Sequence, residues 1–286
     1  MAKPIGPTIP RRQLGDQLGR LRGRARVSQS QIAERLGCSI SKIQKIEAGD
    51  VSIVRAELLL MLDVYGVTGE AARSELMELQ RLGKQRGWWA TFGQVPAPFA
   101  AFLDLESATT NIKIFEPLVV HGLFQTESYA RAIVEAWEGE PLPEDRVERQ
   151  VRIKLERQRR VLAQDPPRIW VVLDEAVLRR VIGGAQVMAD QLRHLSALAR
   201  QFTVQVVPFA CGAYPGARGG LTIFEFDERM HSPVVYVESQ AGNIYLHKGE
   251  DVRRCGLAFD RLSAAALSKP ESVKLINTVA REYTGL

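Results

Sequence analysis

Leu14, Leu18, Leu21 and Ala25 recur at i, i+4, i+7 and i+11, a single apolar stripe along a helix. The other faces of that helix carry Arg12, Arg20, Arg22, Arg24 and Arg26. Ahead of it, residues 1–10 hold three prolines and no periodicity, which predicts a flexible arm. Ser28 is placed to cap a second short helix with Ile32, Ala33 and Leu36 inward, and Gly37 to end it, since glycine reaches the left-handed conformation without a Cβ clash. Ser39 is placed to cap a third, with Ile43 and Ile46 inward and Gly49 as its stop. A fourth helix over about 55–65 (Ala56, Leu59, Leu60, Leu62) and a fifth over about 70–84 (Ala72, Leu76, Leu79, Leu82) complete a compact all-α, five-helix domain over 11–86.

Two glycines and two prolines break the periodicity in GWWATFGQVPAPF, so residues 87–98 are expected to link two domains, with Trp88 and Trp89 packing at the junction. Beyond it, over 99–286, helix and strand alternate in a mixed α/β domain. Helices are predicted near 99–114, 126–137, 144–162, 175–182 and 187–200. Strands are predicted at 169–173 and 203–209, in the order of a crossover between parallel strands. Residues 221–226 and 234–238 read as a hairpin around DERMHS, 243–247 as a further strand, and 251–267 and 271–283 as closing helices. The charged segment 144–162 keeps Val147, Val151, Leu155 and Leu162 on one face, the pattern of a solvated helix packed on the body.

A length of 286 residues, 45% of them hydrophobic and 25% charged, fits about two folded domains and excludes disorder over most of the chain. No run of about 18 apolar residues crosses a membrane, and the first ten residues fit neither a signal peptide nor a transit helix. Cys38, Cys211 and Cys255 are scattered, which argues against a disulfide framework or zinc site and for a reducing cytoplasm. The net charge of +5 is unevenly divided. Residues 1–87 carry 15 Lys/Arg against 9 Asp/Glu, and the remainder 23 against 24. A basic module for a polyanion joined to a neutral body is the expected arrangement.

SQSQIAERLGCSISKIQKIEAGD, residues 28–50, supplies what a helix-turn-helix needs: small Ala33 where two helices cross, Gly37 in the turn, and Ile43 and Ile46 to anchor the second helix. Ser39, Ile40, Ser41, Lys42, Gln44 and Lys45 are left facing outward, hydroxyls, an amide and ammonium groups suited to base edges and phosphates in a major groove. Arg20 and Arg24 read as a solvated face, and Arg11 and Arg12 as candidate contacts to the sugar-phosphate chain.

Ser28-Gln29, Ile32-Ala33, Leu36-Gly37, Ser39, Ile43, Ile46-Glu47 and Gly49 together resemble the phage-repressor/Cro-like (Xre) helix-turn-helix family. The resemblance implies Gln29, with Ser28, at the DNA backbone; Ile40, Ser41 and Lys45 at base edges; and Lys42 and Gln44 at phosphates or flanking bases. Ile40 departs from the polar residue common there, and offers a thymine methyl contact in place of a bidentate hydrogen bond. Glu47 is expected to pair internally, with Arg26 or Arg35.

Catalytic patterns are thin. His121, His194, His231 and His247 form no HxxxH, HExxH or His/Cys cluster, and no serine lies in a GxSxG elbow. His247, Lys248 and Asp251 lack the spacing of a phosphodiesterase signature, and GAYPGARGG precedes a strand rather than the helix a phosphate loop needs. No enzymatic activity, cofactor or metal is expected. FEPLVVHGLFQTESYARA, VLDEAVLRRVIGG, TVQVVPF followed by GAYPG, LTIFEF, PVVYVES and FDRLSAAALS, in that order, resemble the actinobacterial Xre-type regulators with an antitoxin-like C-terminal domain. That resemblance implies a transcriptional regulator, often encoded beside a small partner protein. The expected partners are thus operator DNA, a second copy of the chain as a homodimer, and a small ligand or protein, with no membrane. The location expected is cytoplasmic, at the nucleoid when DNA-bound. The alternative is an antitoxin-like protein that sequesters a small cognate partner and binds DNA for autoregulation. Glu116, His121, Gln125, Thr126 and Tyr129, polar residues interrupting an apolar run, are the candidate ligand or partner surface, against the plainer reading of polar groups satisfied within the core.

Overall fold

The structure, a computed structural model, describes residues 6–137, 141–163, 165–214, 218–227, 232–239 and 242–285. The described residues form two compact units, one ending at Ala108 and one starting at Thr109.

The N-terminal unit is all-α: α1 (Thr8–Arg24), α2 (Gln29–Leu36), α3 (Ile40–Glu47), α4 (Arg55–Val64), α5 (Glu70–Gly83) and α6 (Ala97–Ala108). Leu14 and Leu18 of α1, Ile32 and Ala33 of α2, and Ile43 and Ile46 of α3 share one core with Leu58, Met61, Leu62 and Leu76. In α4 the inward face is Leu58, Met61 and Leu62, while Ala56 and Leu60 are exposed, a phase that the continuous run LLLML leaves open. The expected arm is not free over its described end: Thr8–Pro10 begin α1 and Ile9 is fully buried. Residues 1–5 of that arm lie outside the described residues.

The segment expected as a linker is ordered by α6. After a 3-10 turn at Trp88–Phe92, Trp89 Nε1 donates to Asp104 Oδ1 at 2.9 Å, and Thr8 Oγ1 donates to Asp104 Oδ2 at 2.8 Å. Asp104 is 1% exposed, and burial pushes its carboxyl up, opposed by these two donors and by nearby Arg11.

The C-terminal unit carries β1 (Asn111–Glu116), α7 (Glu127–Trp137), α8 (Glu144–Leu162), β2 (Arg168–Asp174), α9 (Glu175–Arg179), α10 (Ala185–Leu198), β3 (Thr203–Val207), β4 (Leu221–Glu225), β5 (Val234–Ser239), β6 (Gly242–Leu246), α11 (Gly249–Ala265) and α12 (Lys269–Glu282). The six strands form one mixed sheet in the order β3-β2-β1-β4-β5-β6. β1, β2 and β3 run parallel, joined by the helical crossovers, while β4 pairs antiparallel with β1, β5 antiparallel with β4, and β6 antiparallel with β5. One face, with Phe115, Val172, Ile223 and Val235, packs on Phe259 and Leu262 of α11. Val147 and Val151 bury the apolar face of α8 against Val134 of α7. The helix expected over 99–114 ends at Ala108, and Asn111–Glu116 is the central strand β1. The DERMHS turn lies largely outside the described residues.

Candidate nucleic-acid interface and a polar cluster in the second unit

α2 and α3 are eight-residue helices, too short to persist alone, so their ends are fixed by caps. Ser28 Oγ accepts from the Gln31 N–H at 3.1 Å while Gln31 Oε1 accepts from the Ser28 N–H at 2.8 Å, a reciprocal capping box. Gly37 stands at φ +63°, and the N–H groups of Gly37 and Cys38 close onto the carbonyls of Glu34 and Ala33. That closure turns the chain within two residues into Ser39, whose Oγ caps α3 through the Lys42 N–H at 3.2 Å.

Ile43 and Ile46, at 0% and 2% exposure, point α3 into the core, and the complementary face is outward. Ser39, Ile40, Ser41, Gln44 and Lys45 are exposed along it. Lys42 is drawn aside: its Nζ lies 2.5 Å from Glu57 Oε1 of α4, which raises its pKa through that hydrogen bond. Gln29, at the start of α2, is half-buried and donates through Nε2 to Glu47 Oε2 at 2.8 Å.

Glu47 pairs with Arg22 rather than with Arg26 or Arg35. Arg22 Nε and Nη2 donate to its two oxygens at 2.6 and 3.0 Å, and Arg22 Nη1 donates to the Val27 carbonyl at 3.0 Å. One carboxylate at the end of α3 thereby ties α1, the loop before α2, and α2 together. Arg26 sits at φ +56° in the turn after α1, leaving the i-4 neighbour Arg22 to face α3. Two glycines bring α1 close to α3. A Cβ on Gly15 would lie 2.6 Å from the Ile46 carbonyl oxygen, and one on Gly49 would lie 2.6 Å from Arg12 Cα. Neither close approach is written in the local pattern of the sequence.

The other basic residues divide. Arg20 and Arg24 are exposed, as expected of a solvated face. Arg11 and Arg12 pack inside the unit instead: Arg11 Nε donates to the Gly83 carbonyl at 2.5 Å, and Arg12 is 7% exposed.

In the second unit, Gln125, Thr126 and Tyr129 act on their own backbone. Gln125 Nε2 donates to the Val120 carbonyl at 2.7 Å, Tyr129 Oη accepts from the Val120 N–H at 3.2 Å, and Thr126 Oγ1 accepts from the Tyr129 N–H at 3.3 Å. Gln158 and Gln191 brace the same turn from α8 and α10. His121, 5% exposed, lies 3.4 Å from Arg157, and burial followed by the charges of Arg157 and Lys154 holds its pKa well below the usual value. Glu116 ends β1 close to the same cations. Among the described residues no group of three or more His, Cys, Asp or Glu side chains is arranged to hold a metal, and no helix is long and apolar enough to cross a membrane.

Two short capped helices, a glycine turn and a second helix bared on one side define a helix-turn-helix DNA-binding protein, and a helix-turn-helix domain model matches residues 13–76. The larger match, over residues 99–278, is to Domain of unknown function (DUF5753), and the chain belongs to that family. No curated protein and no solved structure matches the chain.

Proposed function

We infer that the chain is a sequence-specific transcriptional regulator that binds operator DNA as a homodimer through α3 and takes a signal through its C-terminal unit. The observation that carries this is the outward face of α3, polar and cationic above an anchored apolar one. Ser41 and Lys45 are the base-reading side chains, Ile40 meets a thymine methyl, and Gln44 reaches phosphate or a flanking base. Ser39, and Ser28 with Gln29, present the N-termini of α3 and α2 to phosphates, where helix dipoles and free N–H groups favour anions. Lys42 reaches DNA only after exchanging Glu57 for a phosphate. A two-fold symmetric operator follows, with half-sites about one helical turn apart or a multiple of it.

Operator footprinting tests this reading. Ser41→Ala and Lys45→Ala are expected to reduce discrimination against altered operators, by about 1–3 kcal/mol for each base that is no longer read. Full selectivity in both variants would overturn the assignment of α3.

A further inference from the structure

α3 and α4 are joined at their first turns by a charge pair that the core does not require. Lys42 stands third in α3, where its N–H donates to the Ser39 cap, and Glu57 stands third in α4. Both backbone positions are fixed from below. Ile43 beside Lys42 and Leu58 beside Glu57 are fully buried in one core, and Gln80 Nε2 of α5 donates to the Ile53 carbonyl at 2.8 Å just ahead of α4. From those two anchored turns the side chains meet, with Lys42 Nζ 2.5 Å from Glu57 Oε1.

The pair adds little to the fold. Ion pairs this exposed, with the lysine side chain at 40% and the glutamate at 21%, stabilise weakly. Ile43, Ile46, Leu58 and Met61 place the two helices on one core without it. Its effect falls instead on the charge that α3 presents outward. The helix carries two ammonium groups, on Lys42 and Lys45. Lys45 is exposed and, among the described residues, makes no ion pair or side-chain hydrogen bond, so it is ready for a polyanion. Lys42 is not.

Displacing Glu57 by a phosphate is unfavourable for two reasons. The carboxylate sits in the first turn of α4, where Val54 provides no side-chain cap and the free N–H groups and helix dipole favour a negative charge. Once Lys42 left it, that carboxylate would also stand bare beside the phosphates, like charge against like charge. Glu57 thus occupies the lysine as a phosphate would.

We propose that Glu57 limits the grip of the helix-turn-helix on DNA phosphates, standing in for a phosphate on Lys42 and withholding that ammonium from the duplex. The inference rests on α3 as the DNA-facing helix, and deepens that reading by assigning a limiting residue to α4. α3 then meets DNA through Lys45 and the polar groups of its outward face, with one cation fewer than its sequence offers. Phosphate contacts carry affinity but no sequence information, so the withheld contact is one that would hold the protein equally on every sequence.

Fluorescence anisotropy of the full chain on one random-sequence duplex, at salt concentrations from about 50 to about 200 mM, tests it. Glu57→Gln is expected to bind more tightly than the parent and to lose that advantage as salt rises. Each further phosphate neutralised steepens log K against log salt by about 0.9, which amounts to about threefold over this range. Adding Lys42→Met to Glu57→Gln is expected to cancel both changes, and Lys45→Met to flatten the parent's slope by a similar amount. The proposal is overturned if Glu57→Gln keeps the parent's slope. It is equally overturned if the gain survives Lys42→Met, which would trace it to lost repulsion and not to a freed lysine. An unchanged slope in Lys45→Met takes α3 off the duplex and removes both readings; a flattened slope there, with no gain in Glu57→Gln, removes this one alone.

Discussion

Glu47 accepts from three donors on two other helices, and its side chain keeps 12% of its exposure. A carboxylate in that position is held by its partners, and removing one leaves the other charged and poorly hydrated. Glu47→Ala is expected to lower the stability of the N-terminal unit by about 2 kcal/mol, the scale of hydrogen bonds to a charged group. Arg22→Ala should cost a similar amount, and the double variant less than the two combined. Urea unfolding of the four proteins checks this; strictly additive losses would mean the two side chains do not act as a pair. Ile40 is held by nothing comparable. It is apolar yet 46% exposed, while Ile43, one turn further on, is fully buried, so packing fixes Ile43 and leaves Ile40 open to whatever α3 meets outside the fold.

Among the elements, α3 owes its position to α1 more than to its own sequence. Gly15 is the point of closest approach, and a methyl group there would run into the carbonyls of Ile46 and Glu47. Those are backbone atoms, so the helices must separate. Gly15→Ala is therefore expected to cost about 1–3 kcal/mol despite alanine's better helix propensity, and to weaken operator binding by displacing α3. Unfolding measurements decide the sign, and a stabilised protein would show that α1 and α3 stand further apart.

The caps at Ser28, Gly37 and Ser39 are legible in the sequence because a cap involves residues within a few positions of one another. The outward face of α3 is legible as the complement of Ile43 and Ile46. Gly15, the Arg22–Glu47 pair and the Lys42–Glu57 pair are not, because each partner is supplied by another helix. β1 is obscured for a different reason. Phe102, Leu105, Ile112 and Phe115 continue a helical spacing through it, and a central strand with Ile112, Ile114 and Phe115 all at 0% exposure lacks the plain alternation of a half-buried one. In the C-terminal cluster, Glu116 and His121 stand out as polar breaks in an apolar run. Arg157 reaches His121 only through the packing of α8.

For the molecule as a whole, the division of charge and the division of structure do not fall at the same residue. The cationic excess ends near residue 87, whereas the compact unit runs to Ala108 because α6 packs on α1. Asp104 carries that association, buried between the Thr8 hydroxyl and the Trp89 indole. A fragment ending at residue 86 loses α6 and with it the Asp104 acceptor of the Thr8 hydroxyl. It is expected to melt at least about 5 °C below a fragment ending at residue 108, a difference of about 1 kcal/mol in a domain of this size. Equal melting points would show that α6 adds nothing to the helical unit.

The match to the C-terminal family begins at residue 99, inside α6, although that helix folds with the N-terminal unit. Recombination between relatives at that family border would thus join an α6 from one parent to an α1 from another. Such a chimera would inherit the aspartate without its threonine and tryptophan unless both parents shared them, so a clean exchange of halves must cross over after Ala108.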